Sequence, residues 1–242
     1  MRTKSAPLLC ELHAHTSWSD GLLTVRQLVD LYGQAGFDVL AVTDHVVRWD
    51  DPAAGDDRAV RPDAFGDYVA EIADEADRAA RLYGLLVIPG AELTFNDPDP
   101  DAAAHAVAIG CRDHVSVDDG IELAMLRARR AGAAIVAAHP HDGDGGRRGP
   151  GTRRFARDWP ALRPLVDRYE LFNGQDLYSW VAEAGLPGVA SGDFHGPGDL
   201  GGWKTLLPCR RDETEVVGYL RSSRPVYLAR VEAGDALDRR AA

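Results

Sequence analysis

Four times along this chain a helix-periodic segment stops at a glycine and is followed at once by an apolar run. Val25, Leu28, Val29 and Tyr32 share one helical face, Thr24 and Gln27 form a capping-box pair ahead of them, and Gly36 precedes the run 37–43. A longer helix carrying Phe65, Val69, Ile72, Ala76 and Tyr83 stops at Gly84 before 85–88. Ser116 is placed to cap a helix with Ile121, Ala124, Met125 and Ala128, ended by Gly132 ahead of 133–138. A shorter helix over 177–184 ends at Gly185, before 186–190. A first strand is expected at 8–13. Runs this uniformly apolar fit strands covered on both faces, so the repeated unit predicts a parallel α/β architecture. No internal repeat and no linker interrupts it, and one domain over 1–242 is expected, with a core of about 8–230 and a possible tail at 231–242. Segments 48–63, 96–103 and 142–154 read as loops, the last rich in Gly and Arg.

The ends of these runs carry the chemistry. The first ends in His13-Ala14-His15, and residues two apart on a strand point to the same side. The second ends in Thr43-Asp44-His45, the third in Gly90-Ala91-Glu92, the fourth in Ala138-His139-Pro140-His141, and the last in Gly192-Asp193-Phe194-His195. In parallel α/β folds, sites form at the carboxyl ends of strands. Five strands thus deliver His, Asp or Glu to one edge. That donor set suits Zn, Mn or Fe. So many polar groups in one barrel mouth would be costly to bury without an ion.

These motifs together resemble the PHP (polymerase and histidinol phosphatase) family: His13-Ala14-His15-Thr16, Ser19-Asp20-Gly21, Thr43-Asp44-His45, Pro89-Gly90-Ala91-Glu92, Ala138-His139-Pro140 and Ser191-Gly192-Asp193-Phe194-His195. The match covers roughly residues 9–205 in the family's order. The resemblance implies a distorted (β/α)7 TIM-like barrel, two or three divalent ions at the strand C-termini (Mn, Zn or Fe, up to a trinuclear centre), and phosphoester hydrolysis. It implies a first ion held by His13, His15, Glu92 and Asp193, a second by Glu92, His105 and His139 with Glu92 bridging, and a third by Asp20, His45 and His195. His105 enters only through the resemblance, because it opens an apolar run rather than closing one. Asp20 sits in a Ser-Asp-Gly turn, where Asp also has an ordinary turn role.

The expected mechanism is attack by a metal-bridging hydroxide positioned by Glu92, Asp193 and His195, since divalent ions acidify bound water and neutralise phosphoryl oxygens. His195 or Asp20 could protonate the leaving oxygen. Arg147, Arg148, Arg153 and Arg154, together with Lys204 and His141, are candidate substrate contacts, arginine being suited to bidentate phosphate binding. Trp49 offers a stacking surface. His114 reads as a solvated loop residue.

Charge and composition limit the partners. Acidic residues number 38 against 27 basic ones, a formal net charge of −11. That argues against a stable nucleic-acid partner and for a small phosphorylated substrate or a nucleotide. Three widely spaced cysteines, no apolar run of membrane length and no signal-like N-terminus give a cytoplasmic expectation with no membrane partner. Oligomeric state is not legible. The alternatives are a short-oligonucleotide exonuclease, a hydrolase of non-phosphate esters or carbamates on the same metals, and a non-catalytic PHP module.

Overall fold

The structure is a computed structural model that describes residues 6–55, 58–143 and 152–232. Its strands are β1 (Leu8–Glu11), β2 (Val39–Val42), β3 (His45–Val47), β4 (Leu86–Phe95), β5 (Ala104–Ile109), β6 (Ala134–Ala138), β7 (Arg168–Asn173), β8 (Asp176–Leu177), β9 (Gly188–Ser191), β10 (Gly202–Leu207) and β11 (Tyr227–Val231). Its helices are α1 (Val25–Gln34), α2 (Pro52–Gly55), α3 (Phe65–Tyr83), α4 (Ile121–Arg130), α5 (Arg154–Leu162), α6 (Ser179–Glu183) and α7 (Glu213–Leu220). No described helix is long and apolar enough to cross a membrane.

The expected helix–glycine–strand units are present, and their local chemistry accounts for their ends. Thr24 and Gln27 form the capping box, the Gln27 amide donating to Thr24 Oγ1 while the Gln27 side chain accepts from the Thr24 amide. Gly84 ends α3 at φ +64, a left-handed conformation that glycine adopts without penalty. One cap differs from expectation. Ser116 closes a small turn on Asp118, and α4 starts only after Gly120.

The sheet is mixed rather than parallel. It runs β11-β10-β1-β2-β4-β5-β6-β7-β8, with β9 on β7 and β3 on β4. Strands β1, β2, β4, β6, β7 and β9 share one direction, while β5 is antiparallel to both β4 and β6. The 96–103 connection explains the reversal: it is too short for a crossover helix, so the chain returns antiparallel. β10 and β11 are antiparallel additions beside β1. The described sheet is thus a curled, mixed one in which βα units are joined by antiparallel strands.

The sheet curls until its ends meet. Ala14 and Phe194 form a parallel bridge beyond β1 and β9, with the His15 amide donating to the Phe194 carbonyl at 2.8 Å. Lower down, Thr205 on β10 does by side chain what a ladder would do: its Oγ1 donates to the Ala190 carbonyl and accepts from the Ala190 amide. The strands separate three apolar clusters. Cys10, Val39, Ala41, Ile88, Val107 and Val136 fill the inside with Val216 and Leu220 of α7. Leu40 and Val42 face outward to α1 and α3, and Ala106 and Ile135 face α4 and its neighbours. Successive residues packing into different layers explain the continuous apolar runs. Fully buried Arg168 holds α7 in place by donating to the carbonyls of Tyr219 and Leu220 at its C-terminus.

Glu11 is the pin at the closure. Its Oε1 accepts from the amides of Leu12, His13 and Gly192, and its Oε2 accepts from Tyr32 Oη and, at 2.5 Å, from Lys204 Nζ. Both side chains of the ion pair are completely buried. Gly192 has no room for a Cβ, which would collide with this pair. Lys204, expected at the mouth as a substrate contact, is thereby corrected to a buried strut: β10 turns it to the same face as Leu206, toward α1. Removing one partner of a buried pair leaves an uncompensated charge. Lys204→Met should therefore destabilise the fold by about 3–5 kcal/mol in denaturant unfolding.

Candidate metal centre

The strand ends converge as the alternation rule requires. The Ala14 bridge holds 13–15 extended, so Ala14 packs outward into the core while His13 and His15 both turn inward. Asp20 rides on a turn fastened by Asp44, which accepts from the Thr16 amide and from the hydroxyls of Thr16 and Ser19 at 2.7–2.8 Å. His45 opens β3 and stands in register with Glu92, which lies in the middle of β4 rather than at its end. His105 is the second residue of β5, paired with Thr94 and Ala138. Because β5 runs backwards, its start lies where its neighbours finish, and this places His105 at the same edge. His139 follows β6 at φ +29 and Asp193 follows β9 at φ +49. They are the two non-glycine residues at positive φ among those described, a strained conformation typical of functional sites.

All nine expected ligand residues fall into three donor groups. They are His13, His15 and Asp193; Glu92, His105 and His139; and His15, Asp20, His45 and His195. Within each group the donor atoms lie within 4.8 Å of one another. Glu92 stands between groups. Its Oε1 is 3.1 Å from His105 Nδ1 and 3.1 Å from His139 Nε2, while Oε2 is 3.5 Å from His13 Nε2 and 3.6 Å from His15 Nε2. Asp193 Oδ1 is 3.3 Å from His15 Nε2, and Asp20 Oδ1 is 3.3 Å from His195 Nε2 and 3.5 Å from His45 Nε2.

Most of the imidazoles are steered from behind. His13 Nδ1 contacts Glu170 at 2.9 Å, His45 Nδ1 contacts Thr94 at 2.7 Å, His105 Nε2 contacts Asn96 at 2.9 Å and His139 Nδ1 contacts Thr152 at 3.2 Å. One ring nitrogen is tied outside and the other faces the cluster, the arrangement that orients metal-bound histidine. Glu92 Oε2 meets His45 Nδ1 at 2.7 Å, while a second buried atom in the cluster, His15 Nδ1, has no hydrogen-bond partner. Orphaned donors and acceptors of this kind are expensive unless something else coordinates them. The donor set therefore fits divalent metal.

The electrostatics agree. Burial would disfavour the charged carboxylates, yet the surrounding imidazoles hold Glu92 and Asp193 well below the usual range. Asp20 is lowered in the same way by His195 and His45. Burial also opposes charge on His45, but Glu92 and Asp20 outweigh it and raise its pKa to about 10. His13 is raised by Asp193, Glu92 and Glu170 against the same burial penalty. His15, buried and facing His45, falls to about 3 and stays neutral.

The cluster floors a cavity of about 490 Å3 whose wall includes Asn96, His141, Thr152, Asn173, Asp176 and Tyr178. His141, a candidate substrate contact, is on that wall with its ring 5.0 Å from Tyr178. No Lys or Arg lines it among the described residues. Arg147 and Arg148 lie outside the described residues. Arg153 pairs with Asp101 at 2.7 Å, and Arg154 with Glu122 and Asp158, all away from the cavity. Trp49 is exposed and His114 packs its ring on Phe65; neither joins the site. Glu170 was not foreseen. It supports His13 and, through the His139 amide at 2.6 Å, the far side of the cluster as well. A buried carboxylate in the alternating run Arg168-Tyr169-Glu170-Leu171-Phe172-Asn173 was the available signal.

The PHP domain family matches residues 11–139, just over half of the chain and the stretch that holds seven of the nine donors. The chain belongs to the PHP domain family. Among solved structures, a two-domain protein from Bacteroides vulgatus containing a PHP-like metal-dependent phosphoesterase superposes with a TM-score of 0.65 at 21% identity. The superposition covers 92% of this chain and 64% of that protein, so this chain spans somewhat under two thirds of its length. An amidohydrolase from Chromobacterium violaceum, with bound sulfate and no metal, matches with a TM-score of 0.57 at 18% identity over 91% of this chain and 97% of that one. At these identities the likeness is one of fold. No curated protein matches the sequence.

Two measurements check the PHP centre. Glu92→Ala removes a carboxylate whose two oxygens face two groups and Asp20→Ala one that faces a single group, so elemental analysis should find the larger metal deficit in Glu92→Ala. Metal must also displace protons from imidazoles raised as His45 is. Metal uptake at pH 7 should release protons, and apparent affinity should weaken as pH falls, both readable by calorimetry in buffers of different ionisation enthalpy.

Proposed function

We propose that this PHP protein is a metal-dependent hydrolase that cleaves a phosphoester of a small molecule or nucleotide. The observation that carries the proposal is Glu92, one carboxylate whose two oxygens face separate histidine groups on the floor of a closed-ended cavity. A volume of about 490 Å3 is in the range of small-molecule sites. We read the curled sheet as a distorted (β/α)7 barrel in one unit over about 8–230, with two or three ions (Mn, Zn or Fe) divided among the three donor groups.

Divalent ions, when bound, acidify water at neutral pH and neutralise charge on phosphoryl oxygens. This chain's own residues do the rest. The carboxylates of Glu92 and Asp193 would accept hydrogen bonds from the attacking water and fix its lone pair toward phosphorus. With ions only in the other two groups, His195, whose basicity is raised against burial by Asp20 and Asp193, would carry a proton on Nε2 at the rim of the cavity. That proton is available to the leaving oxygen. Asn173, Asp176, Tyr178 and His141 form the wall against which the leaving group would lie.

One observation favours a second reading. The described wall has no Lys or Arg, and a neutral ester or carbamate needs none. The two readings separate in one assay. Chelated protein should be inactive, and Mn, Zn or Fe should restore hydrolysis of p-nitrophenyl phosphate, bis-p-nitrophenyl phosphate or nucleotides. Restored turnover of p-nitrophenyl acetate alone would replace the phosphoester reading, and turnover indifferent to chelator would overturn both. Comparing mononucleotides with short single strands tests for exonuclease action.

A further inference from the structure

A second pocket opens at the opposite end of the barrel, where the strands begin. It holds about 420 Å3 between the start of β7 and the 185–187 turn ahead of β9. Three arginines surround it: Arg129 from the end of α4, Arg163 from the turn after α5, and Arg221 from the end of α7. They are not equivalent. Arg129 is matched by Asp167, which also accepts from the Ile135 amide. Arg221 donates to the neutral Gly132 carbonyl at 3.1 Å and keeps its charge. No carboxylate among the described residues pairs with Arg163 or Arg221. In a chain of net charge −11, two unmatched guanidinium groups beside one pocket are a local reversal of sign.

The pocket wall supplies a second, independent sign of a ligand. Tyr169 is completely buried, and its hydroxyl has no hydrogen-bond partner. Leaving a buried hydroxyl unsatisfied costs on the order of 1–3 kcal/mol, and an acceptor in the pocket would remove that cost. Burial raises the phenol to about 12, with Arg163 opposing the rise, so the group is a donor at physiological pH. Two guanidinium forks and one O–H offer donors to an oxyanion, and Asp167, the one carboxylate in the lining, is taken up by Arg129.

We propose that this pocket binds the phosphate or carboxylate group of a small molecule between Arg163, Arg221 and the Tyr169 hydroxyl. The site is separate from the metal centre and does not depend on the hydrolytic reading. Tyr169 packs in the outer core, while the next residue, Glu170, faces the other way and supports His13.

Inorganic phosphate titrated by calorimetry into the intact, metal-loaded protein tests the proposal. One equivalent should survive chelation of the metals. Arg163→Met should weaken that equivalent at least tenfold, and Tyr169→Phe several-fold. Arg163 is exposed, so its variant should keep the wild-type melting curve, which separates lost binding from lost folding. Malonate is the second arm: displacement of the phosphate assigns the pocket to carboxylates, and no displacement assigns it to phosphates, either result supporting an oxyanion site. Phosphate binding abolished by chelation overturns the proposal, as does an Arg163→Met protein that binds as the wild type does.

Discussion

A buried carboxylate closes this fold. Glu11 lies one residue beyond the last internal apolar position of β1 and gathers three backbone amides, a tyrosine hydroxyl and an ammonium. Those donors come from β1 itself, α1, the segment after β9, and β10, so one side chain fastens the two ends of a curled sheet. The metal cluster inherits its geometry from that closure. His13 and His15 continue directly from Glu11, and Asp193 follows the very glycine whose amide Glu11 holds. Where the first and last strands meet, donors separated by most of the chain come within 3.3 Å.

Strand ends proved more legible in the sequence than strand directions. His13, His15, His45, His139, Asp193 and His195 could be located because each follows an apolar run, and a run ending in a polar residue marks the edge of a buried strand. Glu92 was legible as a residue but not as mid-strand, because β4 continues through Leu93-Thr94-Phe95 into the hairpin with β5. His105 looked misplaced for a related reason: the sequence shows that a strand is present but not which way it runs. Lys204 shows a different limit. Its nearness to the last motif suggested the mouth, yet whether a charged strand residue can be buried is decided by whether a counter-charge waits for it, and that partner is 193 residues away. Glu170 went unnoticed because the helix ahead of β7, α5, is interrupted by Pro160 and has no glycine stop like those that mark the other strands.

The two ends of the barrel are opposite in character. At the mouth, three carboxylates are surrounded by six imidazoles, and each ring is held so that a nitrogen points inward. Thr94, Asn96, Thr152 and Glu170 fix those rings from outside, and the cavity is thus organised before any ion arrives. At the other end three arginines and a tyrosine hydroxyl face a single carboxylate, Asp167. The overall acidity of the chain describes neither place.

The backbone at His139 and Asp193 carries a consequence of its own. Both residues sit in a left-handed conformation that glycine or asparagine would occupy more comfortably. Exchange to glycine at either position would relax the chain while emptying a donor. Stability and metal capacity therefore pull in opposite directions at these two points. In a lineage released from selection for the site, these two donors would be among the first to drift.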